Sequence, residues 1–330
     1  MNWKLVALIF AALAIVAGSL MLTKATPMTA ATEMFKGSLG SPRAISGSIR
    51  EMTPLLIAGL AVFIALRAGL FNIGVEGQLL VGAFTCAVVA LRAPGPTGAM
   101  LGAVSGMAAG ALWAYPAGLI KAYRNGHEVI TTIMLNNIAG YLTSYLVAGP
   151  FIAPPGDYPA TATLGEATRL GNFLEGPVAV NWAIPIGLLA TAGLALWLRY
   201  TVSGYELLAV GANPTAARFS GVDPARVVVR SMLASGAIAG LAGALQVLAY
   251  EHRFYADFSP GYGFDALGVA LLAGGSAFGV IPSAFVFGAL SRGGIRLAIY
   301  EVPKGIVGVI LGLMILIAAA IRYRKVKTVA

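Results

Sequence analysis

Residues 93–120 carry no charged side chain, and that run excludes most folds. A helix needs about 20 mostly apolar residues to cross the hydrocarbon core of a bilayer. The same pattern recurs along the chain. Uncharged runs cover residues 5–23, 52–66, 77–91, 129–156, 181–198, 231–250, 266–291 and 305–321. Charged residues make up 11% of the chain and hydrophobic ones 58%, with mean hydropathy +0.83. An average soluble domain carries about 25% charge. Backbone in lipid must satisfy its own hydrogen bonds, so the runs predict helices. The expected fold is an all-α, polytopic transmembrane bundle of about ten segments, some broken or re-entrant. Eight is the count if the two short pairs are re-entrant.

The stretch from Gly69 to Gln78 interrupts this pattern. It places Glu76, Asn72 and Gln78 with three glycines between two apolar runs. A charge at bilayer depth costs roughly 2.5–3.5 kcal/mol on insertion scales, which makes it a functional residue by default. The chain therefore splits here into two crossings that meet near residues 67–72. Downstream, Glu128, Thr132, Asn136, Gly140 and Ser144 recur every four residues and make one polar helix face, with Asn137 beside it. Two readings stand for this face: it lines a solute path, or it holds helices together by hydrogen bonds. Glu76 likewise either faces the path or caps the amides of a broken helix. Gly98, Gly102, Gly106 and Gly110 form a small-residue stripe suited to close contact with a neighbouring helix.

The remaining segments read as connections. Residues 24–51 are expected to form an outer loop with a short interfacial helix. Residues 149–180, with five prolines, form another outer loop, and residues 251–265 a third. Residues 199–230 hold Arg199, Arg218, Arg226 and Arg230 and belong in the cytoplasm by the positive-inside bias. Within them, Asn213 and Pro214 start a short helix and Gly221 stops it. The net charge of +9 sits at the ends of apolar runs, as expected of cytoplasmic loops rather than nucleic-acid binding. The basic tail from Arg322 is expected inside, so both termini are cytoplasmic. The first helix, 5–23, is expected to be retained, with a cleaved signal peptide the alternative. Cys86 is the single cysteine. No phosphate-cradling loop, paired-cysteine metal spacing or Gly-x-Ser-x-Gly occurs, so neither catalytic nor metal residues are assigned.

Four stretches together resemble one family. They are Gly69–Gln78, His127–Ala139, Gly211–Val222 and Phe264–Gly274. In this order they are similar to signature stretches of ABC importer permeases for nucleosides and simple sugars, within the group that includes branched-chain amino-acid permeases. Thr215, Ala216, Ala217 and Gly221 keep the spacing of the importer coupling pattern, with Thr in place of Glu. His127 departs from the family's commoner Asn, and a bulkier aromatic is commoner near Asn137. The resemblance implies a single permease domain over residues 1–330, with a core at 52–321 and a cytoplasmic coupling loop at 199–230. It implies a non-catalytic subunit of the bacterial cytoplasmic (inner) membrane. Expected partners are an ABC ATPase that holds the ATP and Mg, a second and different permease, an extracytoplasmic substrate-binding protein and the lipid bilayer. The expected path residues are Asn72, Glu76, Gln78, Thr132, Asn136 and Asn137. The expected ATPase-coupling residues are Asn213, Thr215, Ala216, Ala217, Arg218 and Gly221. The alternative is a stand-alone proton-coupled secondary transporter of a small polar solute, with Glu76 carrying the proton.

Overall fold

The computed structural model describes residues 26–93 and 95–297, with a few isolated positions near either end. The first helix expected at 5–23, the last span at 305–321 and the basic tail lie outside the described residues. Eleven α-helices are described: α1 Pro27–Ser38, α2 Pro42–Arg67, α3 Val75–Ala90, α4 Gly95–Arg124, α5 Glu128–Ala148, α6 Ala183–Tyr200, α7 Val202–Ala212, α8 Pro214–Phe219, α9 Pro224–Gln246, α10 Tyr262–Leu272 and α11 Val280–Leu297. α9 runs on through a π-type turn to Glu251. Between α5 and α6 the chain makes one 3₁₀ turn at Glu166–Thr168. A small antiparallel pair follows, β1 Asn172–Leu174 with β2 Val180–Asn181.

Four of these helical segments are long and apolar enough to cross a membrane: Pro42–Arg67, Gly95–Arg124, Ala183–Tyr200 and Pro224–Glu251. α2 and α9 form the centre, with most of their surface buried, and α3 and α10 pack against them. α4, α5 and α6 lie outside and bury one face each. Their other faces expose Met100, Val104, Leu112, Ile138, Leu189 and Leu196. An apolar exterior of this kind is the surface a lipid-embedded protein presents.

The structure corrects the reading of residues 24–51 as an outer loop. Residues 27–38 form the short helix expected within it, but the last ten of that stretch are the start of α2. Ser41 caps α2 by accepting from Ala44 N at 3.1 Å, with Pro42 at its first position. The charges that made this turn look like a loop find partners. Arg50 reaches Glu251 at 3.1 Å, and Glu51 accepts from the Tyr262 hydroxyl at 3.2 Å. The cytoplasmic loop expected at 199–230 is likewise mostly helical, holding α7, α8 and the first turns of α9. α3 and α6 follow their uncharged runs to within two residues, whereas α4, α9 and α11 extend past theirs over Lys121, Arg226 and Arg292. The predicted short helix, turn and second helix across 266–291 appear as α10 and α11.

The glycine stripe of α4 sits against α3 and α9. A Cβ on Gly106 would lie 2.8 Å from Gly82 O, and one on Gly110 would lie 2.8 Å from Gly240 Cα. Backbone meets backbone along this seam, as small residues in lipid allow.

Candidate functional site: a stitched helix break beside an aromatic pocket

α2 ends at Arg67, and the chain turns through Gly69, whose φ of +75° lies where side chains are disfavoured. The turn delivers Asn72 into the protein interior, fully buried. Its Nδ2 donates to Gln78 Oε1 at 3.0 Å and to Ser235 Oγ at 2.8 Å. Its Oδ1 accepts from Gly74 N at 3.0 Å and from Gln78 Nε2 at 3.2 Å. The amide's capacity is thereby used up. Ser235 Oγ then donates to Ala61 O at 2.7 Å. One asparagine thus ties α2, the turn, α3 and α9 together.

The N-terminus of α3 has Gly74 at its cap position, which offers no side chain. Asn136 of α5 supplies what is missing. Its Oδ1 accepts from Gly77 N at 2.8 Å, and its Nδ2 donates to Ile73 O at 2.9 Å. Gly77 is the third residue of α3, whose amide a capping side chain would normally satisfy. Glu76 does the same for α10: its Oε2 accepts from Gly263 N at 2.6 Å, within that helix's first turn. A carboxylate at a helix N-terminus is held by charge-assisted bonding and by the helix dipole. Thr132 is buried and donates back to Glu128 O at 2.7 Å.

Beside this break lies a half-open pocket of about 260 Å³. One wall is α5, through Asn136, Asn137, Tyr141 and Ser144. The other is the segment after α9, through Phe254, Asp257, Phe258 and Ser259. Phe254 and Phe258 stack at 5.0 Å, and Phe84 packs edge-on against Phe254 at 5.4 Å. Asn137 is exposed, with Nδ2 bonded to Ile133 O of its own helix. Of the six residues expected to line a path, the structure brings Asn136 and Asn137 to this pocket. It buries Asn72, Glu76, Gln78 and Thr132 in the hydrogen-bonded frame behind it. Asp257, Tyr141 and Ser144 escaped assignment as path residues. A charge set among Phe254, Tyr255 and Phe258 was the one sequence signal that pointed to Asp257.

A second constellation lies at the far end of α9. Asn213 Oδ1 accepts from Thr215 N and Ala216 N, both at 3.0 Å, and Pro214 starts α8. Gly221, at φ +86°, ends the motif, and Val222 N returns to Ala217 O at 3.0 Å. Ala217 is buried, whereas Thr215, Ala216 and Arg218 are exposed and Phe219 is 89% exposed. A six-residue helix thus holds a bare aromatic ring outward. Phe219 was not among the residues singled out in the sequence.

An apolar exterior, a broken-helix interior and a polar pocket against the broken element define a helical membrane permease. The chain belongs to the family described as branched-chain amino acid transport system / permease component, whose model matches residues 44–319. It is 36% identical to the guanosine ABC transporter permease NupP of Bacillus subtilis, over 96% of this chain and 93% of that protein. It is 35% identical to the glucose ABC transporter permease TsgB13 of Haloferax volcanii, over 93% and 84%. It is 31% identical to the nucleoside ABC transporter permease NupB of Lactococcus lactis, over 89% and 84%. No solved structure matches it. It is a multi-pass ABC transport permease of the nucleoside and simple-sugar type.

Proposed function

We propose that this chain forms half of the membrane path of an importer for nucleosides. The supporting observation is the pocket, which pairs aromatic surfaces with amides and hydroxyls (Tyr141, Phe258; Asn136, Asn137, Ser144). A flat base can lay its face on the aromatic surfaces while the donors and acceptors on its edge meet the amides. The relatives named for guanosine and nucleosides favour the same choice, while the one named for glucose keeps simple sugars as the competing solute.

In this reading Asn137 faces the solute, and Asn72, Glu76, Gln78, Thr132 and Asn136 hold the helix break beside it. ATP and Mg belong to a separate ATPase, which seats on α8 through Thr215, Ala216, Arg218 and Phe219. Asn213 and Gly221 fix the ends of that helix, and Ala217 anchors it inward. α8 leads directly into α9, and Ser235 of α9 holds Asn72, so movement of α8 has a hydrogen-bonded route to the break. A second permease completes the path, and an extracytoplasmic binding protein delivers the solute. The bundle crosses the cytoplasmic membrane about ten times with both termini inside.

The test is uptake into proteoliposomes containing the chain, its ATPase, the second permease and the binding protein. ATP-dependent accumulation of labelled guanosine is expected, with excess unlabelled glucose leaving it unchanged. Uptake of glucose in place of guanosine would reverse the choice of solute. Uptake by this chain alone under a proton gradient, without ATP, would instead make it a secondary transporter.

A further inference from the structure

Asp257 stands in the segment that follows α9. Its backbone lies at φ +58°, in the left-handed region that Asp and Asn enter more readily than other side chains. Its carboxylate forms no ion pair among the described residues, and it borders the pocket. The opposite wall is α5 between Asn136 and Ser144, the middle and outer part of that helix. Asp257 is exposed at the rim of the pocket, in the segment after α9, so its charge is hydrated and open to a solute. Ionised, this group only accepts hydrogen bonds, through two oxygens side by side. Its natural complement is a pair of neighbouring hydroxyls.

We propose that Asp257 reads the ribose of the transported nucleoside, accepting from its 2′- and 3′-hydroxyls while the base lies against Phe258 and Tyr141. Asn137 then meets the edge of the base. The inference rests on the nucleoside reading above and adds to it the selection of ribonucleosides over deoxynucleosides. A site built around a substrate hydroxyl rejects the analogue that lacks it, because the acceptor is left without a partner in a confined space.

The experiment measures initial uptake of tritiated guanosine and 2′-deoxyguanosine by cells whose only copy of this chain, in its complete transporter, is wild type, Asp257→Gly or Asp257→Asn. Glycine suits the left-handed backbone and removes the carboxylate. Asparagine tolerates the same backbone and removes the charge, so either variant carries the test if the other fails to accumulate. Membrane levels, read by immunoblot, normalise the rates. Wild type is expected to favour guanosine by about tenfold or more. Both variants are expected to bring that ratio to within about twofold of unity, by slowing guanosine rather than by speeding deoxyguanosine. Normal membrane levels with an unchanged ratio would overturn the role of Asp257, as would a wild type that does not distinguish the two. A wild type that takes up neither nucleoside fails differently: it overturns the nucleoside reading itself.

Discussion

Asn136 and Asn137 are adjacent in sequence and separate in task. Asn136 satisfies an amide and a carbonyl of the helix break, and Asn137 turns outward. Asn136→Leu strands both backbone groups. Each buried group left unpaired costs about 1–3 kcal/mol. The variant is expected to melt well below wild type in detergent, whereas Asn137→Leu is expected to melt within a degree or two of it and lose uptake. Equal melting of the two variants would remove Asn136 from the frame. Glu76 calls for a different pair. Glu76→Gln keeps an acceptor for Gly263 N and should retain most stability and uptake. Glu76→Ala leaves that amide bare and should lose about 1–3 kcal/mol, read by thermal unfolding. Abolished uptake in a stable Glu76→Gln would return Glu76 to a proton-carrying role. The sequence flagged the polar residues that the structure gathers at the helix break and its pocket, because charge and amides stand out among leucines. Which were already satisfied was hidden, because their partners are remote: Ser235 lies 163 residues from Asn72, and Ile73 lies 63 from Asn136.

At the scale of elements, the period-four glycines of α4 announced a close helix contact but not the identity of the neighbour. Small residues alone do not say which of several small-residue helices they meet. The structure answers with Gly82 of α3 and Gly236 and Gly240 of α9, where a Cβ on Gly240 would run into the Gly106 carbonyl. Backbone cannot move aside as a side chain can. Gly240→Val is therefore expected to exceed the usual 1–3 kcal/mol of an overpacked core. It should sharply lower the monodisperse fraction on size exclusion. Gly193→Val on α6 is the control, because nothing lies within 4 Å of its added Cβ. Equal yields from the two would mean that α4 and α9 are not pressed together. Charge misled at the start of α2. Counting only uncharged residues cut ten positions from a helix whose outer turns carry Arg50 and Glu51. Their partners, Glu251 and Tyr262, come from segments far along the chain.

Across the whole molecule, α9 sets which surfaces lie at opposite ends. Pro224–Glu251 spans roughly 40 Å at 1.5 Å per residue, about the thickness of a bilayer with its headgroups. α8 adjoins its beginning. The segment 160–172 clasps its end, with Leu164 N on His252 O and Leu170 N on Leu248 O, both at 2.8–2.9 Å. The positive-inside rule predicts α8 in the cytoplasm, so Thr163 is expected outside and Ser220 inside. The lone, buried Cys86 makes this directly measurable in a Cys86→Ala background. In spheroplasts, an impermeant maleimide is expected to label Thr163→Cys at once and Ser220→Cys only after permeabilisation. In inverted vesicles, added ATPase should then shield Ser220→Cys, which follows the bare ring of Phe219. Arg218→Glu in the same chain should undo that shielding, because the reversed charge meets any acidic groove rim with repulsion. Labelling of Ser220→Cys from outside would invert the bundle and remove α8 from reach of any cytoplasmic ATPase. Labelling from inside without shielding would leave α8 exposed on the correct side but coupled to nothing, and the route from α8 through α9 to Asn72 would lose its driver.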